Sequence, residues 1–192
     1  MLPCLPFFDR IGGTVLLCGS AESSEADLQA AWGLRPTAPV WCVNEAFYVV
    51  RSTTVLTQHY EQAGRMRHAY RKLYNDDPVI HARLGSQGAS ADVDHWWEVD
   101  GYAGGSSGIW AALVCSMVFD EVILCGIPLS HGRYHQAIRS NDFVRRGERT
   151  WTGAHGAVEN YQAHVRHYVA EGLLHNVKSM SGFTRDVLGG IE

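Results

Sequence analysis

The residues that could carry chemistry sit where apolar runs end. Gly19-Ser20-Ala21-Glu22-Ser23-Ser24 follows the run TVLLC. A glycine and small residues between a buried strand and a helix let backbone N–H groups approach an anion at the helix N-terminus. The stretch is neither GxGxxG nor a P-loop, and an ordinary strand-to-helix turn explains it equally well. Asn44 directly follows PVWCV. An amide at a strand tip offers paired donor and acceptor groups to a base or ribose, or caps its own turn. Gly104-Gly105-Ser106-Ser107-Gly108 precedes the most apolar helical stretch. There the hydroxyls can N-cap the helix while its free N–H groups and dipole favour a phosphate or carboxylate.

Residues 128–156 are polar and without a strong period, and hold His131, Arg133, Tyr134, His135, Arg145, Arg146, Arg149 and His155. A long irregular stretch after a strand is a lid or active-site loop more often than filler, and its arginines could neutralise phosphate. His131 and His135 are four apart, but Gly132 between them and the lack of a third ligand argue against a metal pair. His155, between Gly153 and Gly156, is a surface loop histidine or a general base; imidazole has the ordinary pKa for that work. Asp92-Val93-Asp94 has the form DxD, yet it reads better as a solvated turn than as a divalent-metal site. Trp96 and Trp97 are either core aromatics or a stacking wall for a sugar or base. His164 and His167 fall on a helix and are expected to be partly exposed.

The elements that must position these groups alternate. Thr14–Cys18, Pro39–Val43, Thr53–Thr57, Val79–Arg83, Glu121–Ile127 and Asn176–Met180 read as strands, most of them continuous apolar runs of the kind buried on both faces. Glu22–Leu34 reads as a helix with Ser23 or Ser24 as its N-cap. Glu61–Tyr74 reads as a helix with Met66, Tyr70 and Leu73 on one face. Ser106–Phe119 is apolar nearly all round, hence central, and Ala157–Leu173 and Phe183–Leu188 close the series. Gly85–Gly105 reads as a loop or short edge strand. Strands alternating with helices of this length indicate βαβ units and a mostly parallel, Rossmann-like α/β sheet flanked by helices, in a single domain over residues 1–192. Ligands of such sheets bind beyond the carboxyl ends of the strands at a topological switch point. That rule nominates Gly19-Ser20, Asn44, His59 and the loop after Ile127.

Bulk properties narrow the class. The 192 residues are 46% hydrophobic with a net charge of −4, which supports a real core and gives no basic footprint for nucleic acid. No apolar run approaches the roughly 18–20 residues that span a bilayer. The opening MLPCLPFFDR lacks a positive region and is broken by prolines, so a signal peptide is not expected. Five cysteines, four of them inside apolar runs, with no CxxC, read as buried reduced thiols in a cytoplasmic protein. A homo-oligomer is compatible with all of this.

Taken in order, TVLLCGSAESSE, WCVNEAFY, GGSSGIWAALVCSMVFDEVILCGI and WTGAH before a helix resemble the bacterial sialyltransferases of glycosyltransferase family 42. They are also similar to the related 6-hydroxymethylpterin pyrophosphokinase-like proteins. The resemblance runs over roughly residues 13–190. It implies a GT-A-like variant of the Rossmann sheet, with Gly19 and Ser20 in the first nucleotide loop. It also implies Asn44 as the nucleotide-contacting amide with Phe47 and Tyr48 near it, and Ser106, Ser107 and Gly108 as the turn opening the central helix. Tyr134 becomes a contact to the donor phosphate and His155 the catalytic base. Ser20 stands where the family prefers Asn, Pro128 where it usually has Asp, and Ser130 supplies no second tyrosine. The implied activity is transfer from a nucleotide-activated sugar, with a CMP-sugar the candidate donor, to an acceptor the sequence does not identify, without an obligatory cofactor. Two other readings remain: a pyrophosphokinase-like phosphotransferase requiring Mg2+, and a non-catalytic nucleotide-binding or interaction protein.

Overall fold

The structure, a computed structural model, describes residues 10–84, 90–99, 101–138 and 157–192. His155, Arg145, Arg146, Arg149 and the second half of the expected lid lie outside the described residues.

Among the described residues seven strands form one sheet, and every pairing in it is parallel: β1 (Thr14–Cys18), β2 (Val40–Val43), β3 (Thr54–Thr57), β4 (Val79–Arg83), β5 (His95–Trp97), β6 (Glu121–Cys125) and β7 (Val177–Ser179). The spatial order is β5-β4-β3-β2-β1-β6-β7. The chain therefore walks outward from β1 to β5, returns across the sheet, and walks outward again on the other side. The switch point lies between β1 and β6.

Among the described residues five α-helices cover the two faces: α1 (Ser24–Leu34), α2 (Ala63–Tyr74), α3 (Ser107–Val118), α4 (Ala157–Ala170) and α5 (Gly182–Leu188). Alternation along the strands sorts the core. Leu16, Cys18, Cys42, Val55, Ile80 and Cys125 pack with Leu28 and Ala31 of α1 and Met66 and Tyr70 of α2. Val15, Leu17, Val43, Leu56, Val122 and Leu124 face α3 and α4. Helix α3 is buried on nearly all sides because it is the return crossover and lies over β1, β2, β3 and β6.

Most elements shorten at their ends relative to the sequence reading, and three differences carry physical content. Leu73 is 47% exposed, so the buried face of α2 is Met66 and Tyr70 without it. The first turn expected of α2 is instead a separate 3-10 turn, Tyr60–Gln62. Trp96 and Trp97 alternate across the edge strand β5: Trp96 packs beside Tyr60, while Trp97 is buried and donates from Nε1 to His81 Nδ1 at 2.9 Å. Both are core aromatics rather than a ligand wall. The DxD carboxylates are likewise structural: Arg67 reaches Asp94 Oδ2 at 2.7 Å, and the same oxygen accepts the Ile80 N–H. No helix among the described residues is long and apolar enough to cross a membrane.

Candidate functional site

The parallel register sets Cys42, Cys18 and Cys125 level across β2, β1 and β6. Gly19 and Gly126, one residue on, and Asn44, two residues on, are therefore brought to one edge. A cavity of about 340 Å³ opens there, within the range of small-molecule sites. Of the residues nominated by sequence, Gly19, Ser20, Asn44, Ser106, Ser107, Gly108 and Tyr134 line it, as do His59 and the residues after Ile127. Two do not: Arg133 is exposed, and exposed His131 lies with Nε2 3.7 Å from Glu159 Oε1. His135 instead faces Glu25, 3.7 Å away, so the two histidines point to different partners. Phe47 is fully buried against Tyr70, so that aromatic neighbour of Asn44 belongs to the core and does not line the cavity.

The floor of the cavity depends on glycine. A Cβ at Gly19 would collide with the carbonyl oxygen of Gly126 and sit 2.5 Å from Ile127 Cγ1, so the ends of β1 and β6 can touch only without a side chain. Ser24 locks the same corner by donating to the Gly19 and Ala21 carbonyls. Ser23, at the cap position of α1, makes no side-chain cap and donates to Asp27 Oδ2 at 3.1 Å. That buried oxygen also accepts the Gly126 N–H at 2.8 Å and the Ser181 hydroxyl at 2.6 Å, joining α1, the end of β6 and the start of α5.

Asn44 holds a left-handed backbone (φ +51), a conformation asparagine tolerates better than most residues. Its Oδ1 accepts from Thr57 Oγ1 at 2.8 Å, and Thr57 Oγ1 in turn accepts the His59 N–H at 2.9 Å. This fixes the amide orientation and leaves the Nδ2 donors for a ligand. Gln58 Nε2 donates to the Ser106 carbonyl at 3.0 Å and to Tyr102 Oη at 2.7 Å. Burial pushes the Tyr102 pKa up to about 12 against the opposing Gln58 hydrogen bond, so the phenol stays neutral and still donates to the Gly105 carbonyl. Three consecutive residues from the end of β3, Thr57, Gln58 and His59, thus tie Asn44 to the mouth of α3.

At that mouth Ser106 is the N-cap, its Oγ accepting the Ile109 N–H at 3.3 Å. The glycine before it, Gly105, has φ +129, and the loop is pinned where buried Tyr168 Oη accepts the Ala103 and Gly104 N–H groups at 2.9 and 3.0 Å. The uncapped N–H groups of Ser107 and Gly108 begin the helix at the cavity. Gly108 is required here too, since a Cβ would lie 2.7 Å from Ile127 Cγ2.

The described half of the expected lid is anchored. Its residues around Tyr134 form an antiparallel bridge with Ala21, closed by Glu22 N–H to the Arg133 carbonyl and His135 N–H to the Ser20 carbonyl, both at 2.8 Å. Tyr134 is thereby held over the first loop.

The sequence reading missed Glu45, Gln58, Gln62 and Tyr161, all cavity residues. Gln58 carried a usable signal, since it directly follows the apolar end of β3. Glu45 did not: it is only 3% exposed, and its Oε1 lies 3.5 Å from Arg65. Below the floor, Cys18 is held as a thiol by its hydrogen bond with Cys42 and by burial, and burial pushes the Cys125 thiol up as well. These are inert core groups rather than nucleophiles. Comparison of the chain with family models, with curated proteins and with solved structures finds no match in any of the three.

Proposed function

We propose that the cavity binds a nucleotide and that the protein transfers the sugar of a nucleotide-activated donor, a CMP-sugar being the candidate, to an acceptor hydroxyl. The observation that carries this reading is the meeting of Gly19, Asn44, Ser107 and Tyr134, remote in sequence, around one cavity at a parallel-sheet switch point. Asn44 Nδ2 and the Gly19 loop suit a base and ribose. The N-terminus of α3 suits one phosphate, because its free N–H groups and dipole favour an anion without a metal ion. Tyr134, a cavity residue bridged to Ala21, is the contact that the family resemblance gives to that phosphate. The family resemblance gives the base role to His155, which the structure does not describe. Transfer requires only that a base take the acceptor proton as the bond from the anomeric carbon to the phosphate oxygen breaks.

A thermal-shift panel tests the reading, since a ligand that binds the native state raises the midpoint. Stabilisation by CMP without added metal is the expected result. Stabilisation by ATP only with Mg2+ would point instead to phosphotransfer on the same fold, and no response to any nucleotide would leave a non-catalytic interaction protein.

A further inference from the structure

We infer that the base of this site is His59, oriented by Glu61, rather than His155; the inference rests on the transferase reading above. His59 lies two residues past the end of β3 and lines the cavity at its exposed rim, where an acceptor can enter from solvent. Its Nδ1 is 3.3 Å from Glu61 Oε1. A carboxylate at that nitrogen selects the Nδ1–H tautomer and leaves Nε2 as a bare lone pair. Among the described residues no side chain engages Nε2. This is the arrangement of a general base with its orienting group, and such contacts are often long before substrate binds.

The backbone reinforces the placement. The His59 N–H is held by Thr57 Oγ1, the hydroxyl that also fixes Asn44, so the imidazole and the nucleotide amide share one anchor. The intervening residue, Gln58, grips the carbonyl of the α3 N-cap. The histidine is therefore tied both to the amide proposed for the nucleoside and to the helix end proposed for the phosphate. In the transfer step, Nε2 of His59 takes the proton of the acceptor hydroxyl. The acceptor oxygen bonds to the anomeric carbon of the nucleotide-activated sugar. The bond from that carbon to the phosphate oxygen breaks, its electron pair staying on the nucleoside monophosphate that leaves. Glu61 bears on the resulting imidazolium and does not itself change protonation.

The test combines two measurements on the full chain. The first is the imidazole tautomer of His59, read by long-range proton–nitrogen correlation in ¹⁵N-labelled protein at pH 8.5. The second is transfer from CMP-N-acetylneuraminic acid to lactose, together with CMP binding. Expected are the Nδ1–H tautomer in the wild type, its loss in Glu61→Gln, and at least a 100-fold fall in transfer in His59→Gln with CMP affinity kept within threefold. His59→Gln should cost more transfer than His155→Ala. A wild-type Nε2–H tautomer with CMP bound, a His59→Gln rate within threefold of wild type, or a larger loss in His155→Ala would each overturn the assignment. A wild type that binds no CMP and turns over no donor would overturn the transferase reading itself, and the base role with it, whatever the tautomer.

Discussion

At the scale of single residues, two groups make contrasting demands. Gly19 is required for packing: its missing Cβ is the space in which the ends of β1 and β6 meet, and the obstructing atoms include backbone that cannot swing away. Gly19→Ala should cost about 1–3 kcal/mol of unfolding free energy, as overpacking of a close-packed site does, measured by chemical denaturation. His81 makes a demand on protonation. Burial and then the neighbouring His95 lower its pKa from 6.5 to about 4, while Trp97 donates to its Nδ1. The unfolded state therefore binds the proton more readily than the folded state. Stability contributed by neutral His81 is complete above about pH 6.5 and is lost as pH falls toward about 4. The loss should amount to roughly 3 kcal/mol, visible as a falling denaturation midpoint over that window, with the His81 imidazole titrating near the lower end by NMR.

At the scale of elements, Asp27 is the joint between α1, β6 and α5. Asp27→Ala would leave the buried Gly126 N–H without its acceptor. A destabilisation of about 2–3 kcal/mol is expected by calorimetry, as for a lost hydrogen bond to a charged group. CMP affinity should fall as well, because Gly126 lines the cavity. This joint was hidden in the sequence, since Asp27 looks like one more first-turn acid of an amphipathic helix. The strands and central helix were easier to read. After their first residues, Thr14 and Glu121, TVLLC and EVILC are apolar because a parallel sheet is buried on both faces, and α3 is apolar nearly all round because it crosses the sheet as the return connection. The three-residue strand β5 could not be resolved from a loop, because HWW is too short to display a period and its tryptophans serve opposite faces. The residues after β3 were legible only in part. The strand-end rule nominated His59 and could have reached Gln58, which directly follows β3, whereas Glu61 acquires meaning only from the partner that the fold supplies.

At the scale of the whole molecule, strand order decides which ends meet, and no local pattern encodes it. A run of βαβ units gives parallel strands. That the sixth strand returns to pair with the first is a matter of global packing, and it brings Asn44 and Ser107 to one opening. Under the proposed function this opening is a nucleotide site read by the Asn44 amide. Asn44→Asp keeps the left-handed backbone tolerated and preserves an acceptor for Thr57, but removes the Nδ2 donors. Calorimetric titration of CMP into wild type and Asn44→Asp should show one bound equivalent in the wild type and at least tenfold weaker binding in the variant, about 1.4 kcal/mol. Equal affinity in the two proteins, or no binding to either, would contradict it.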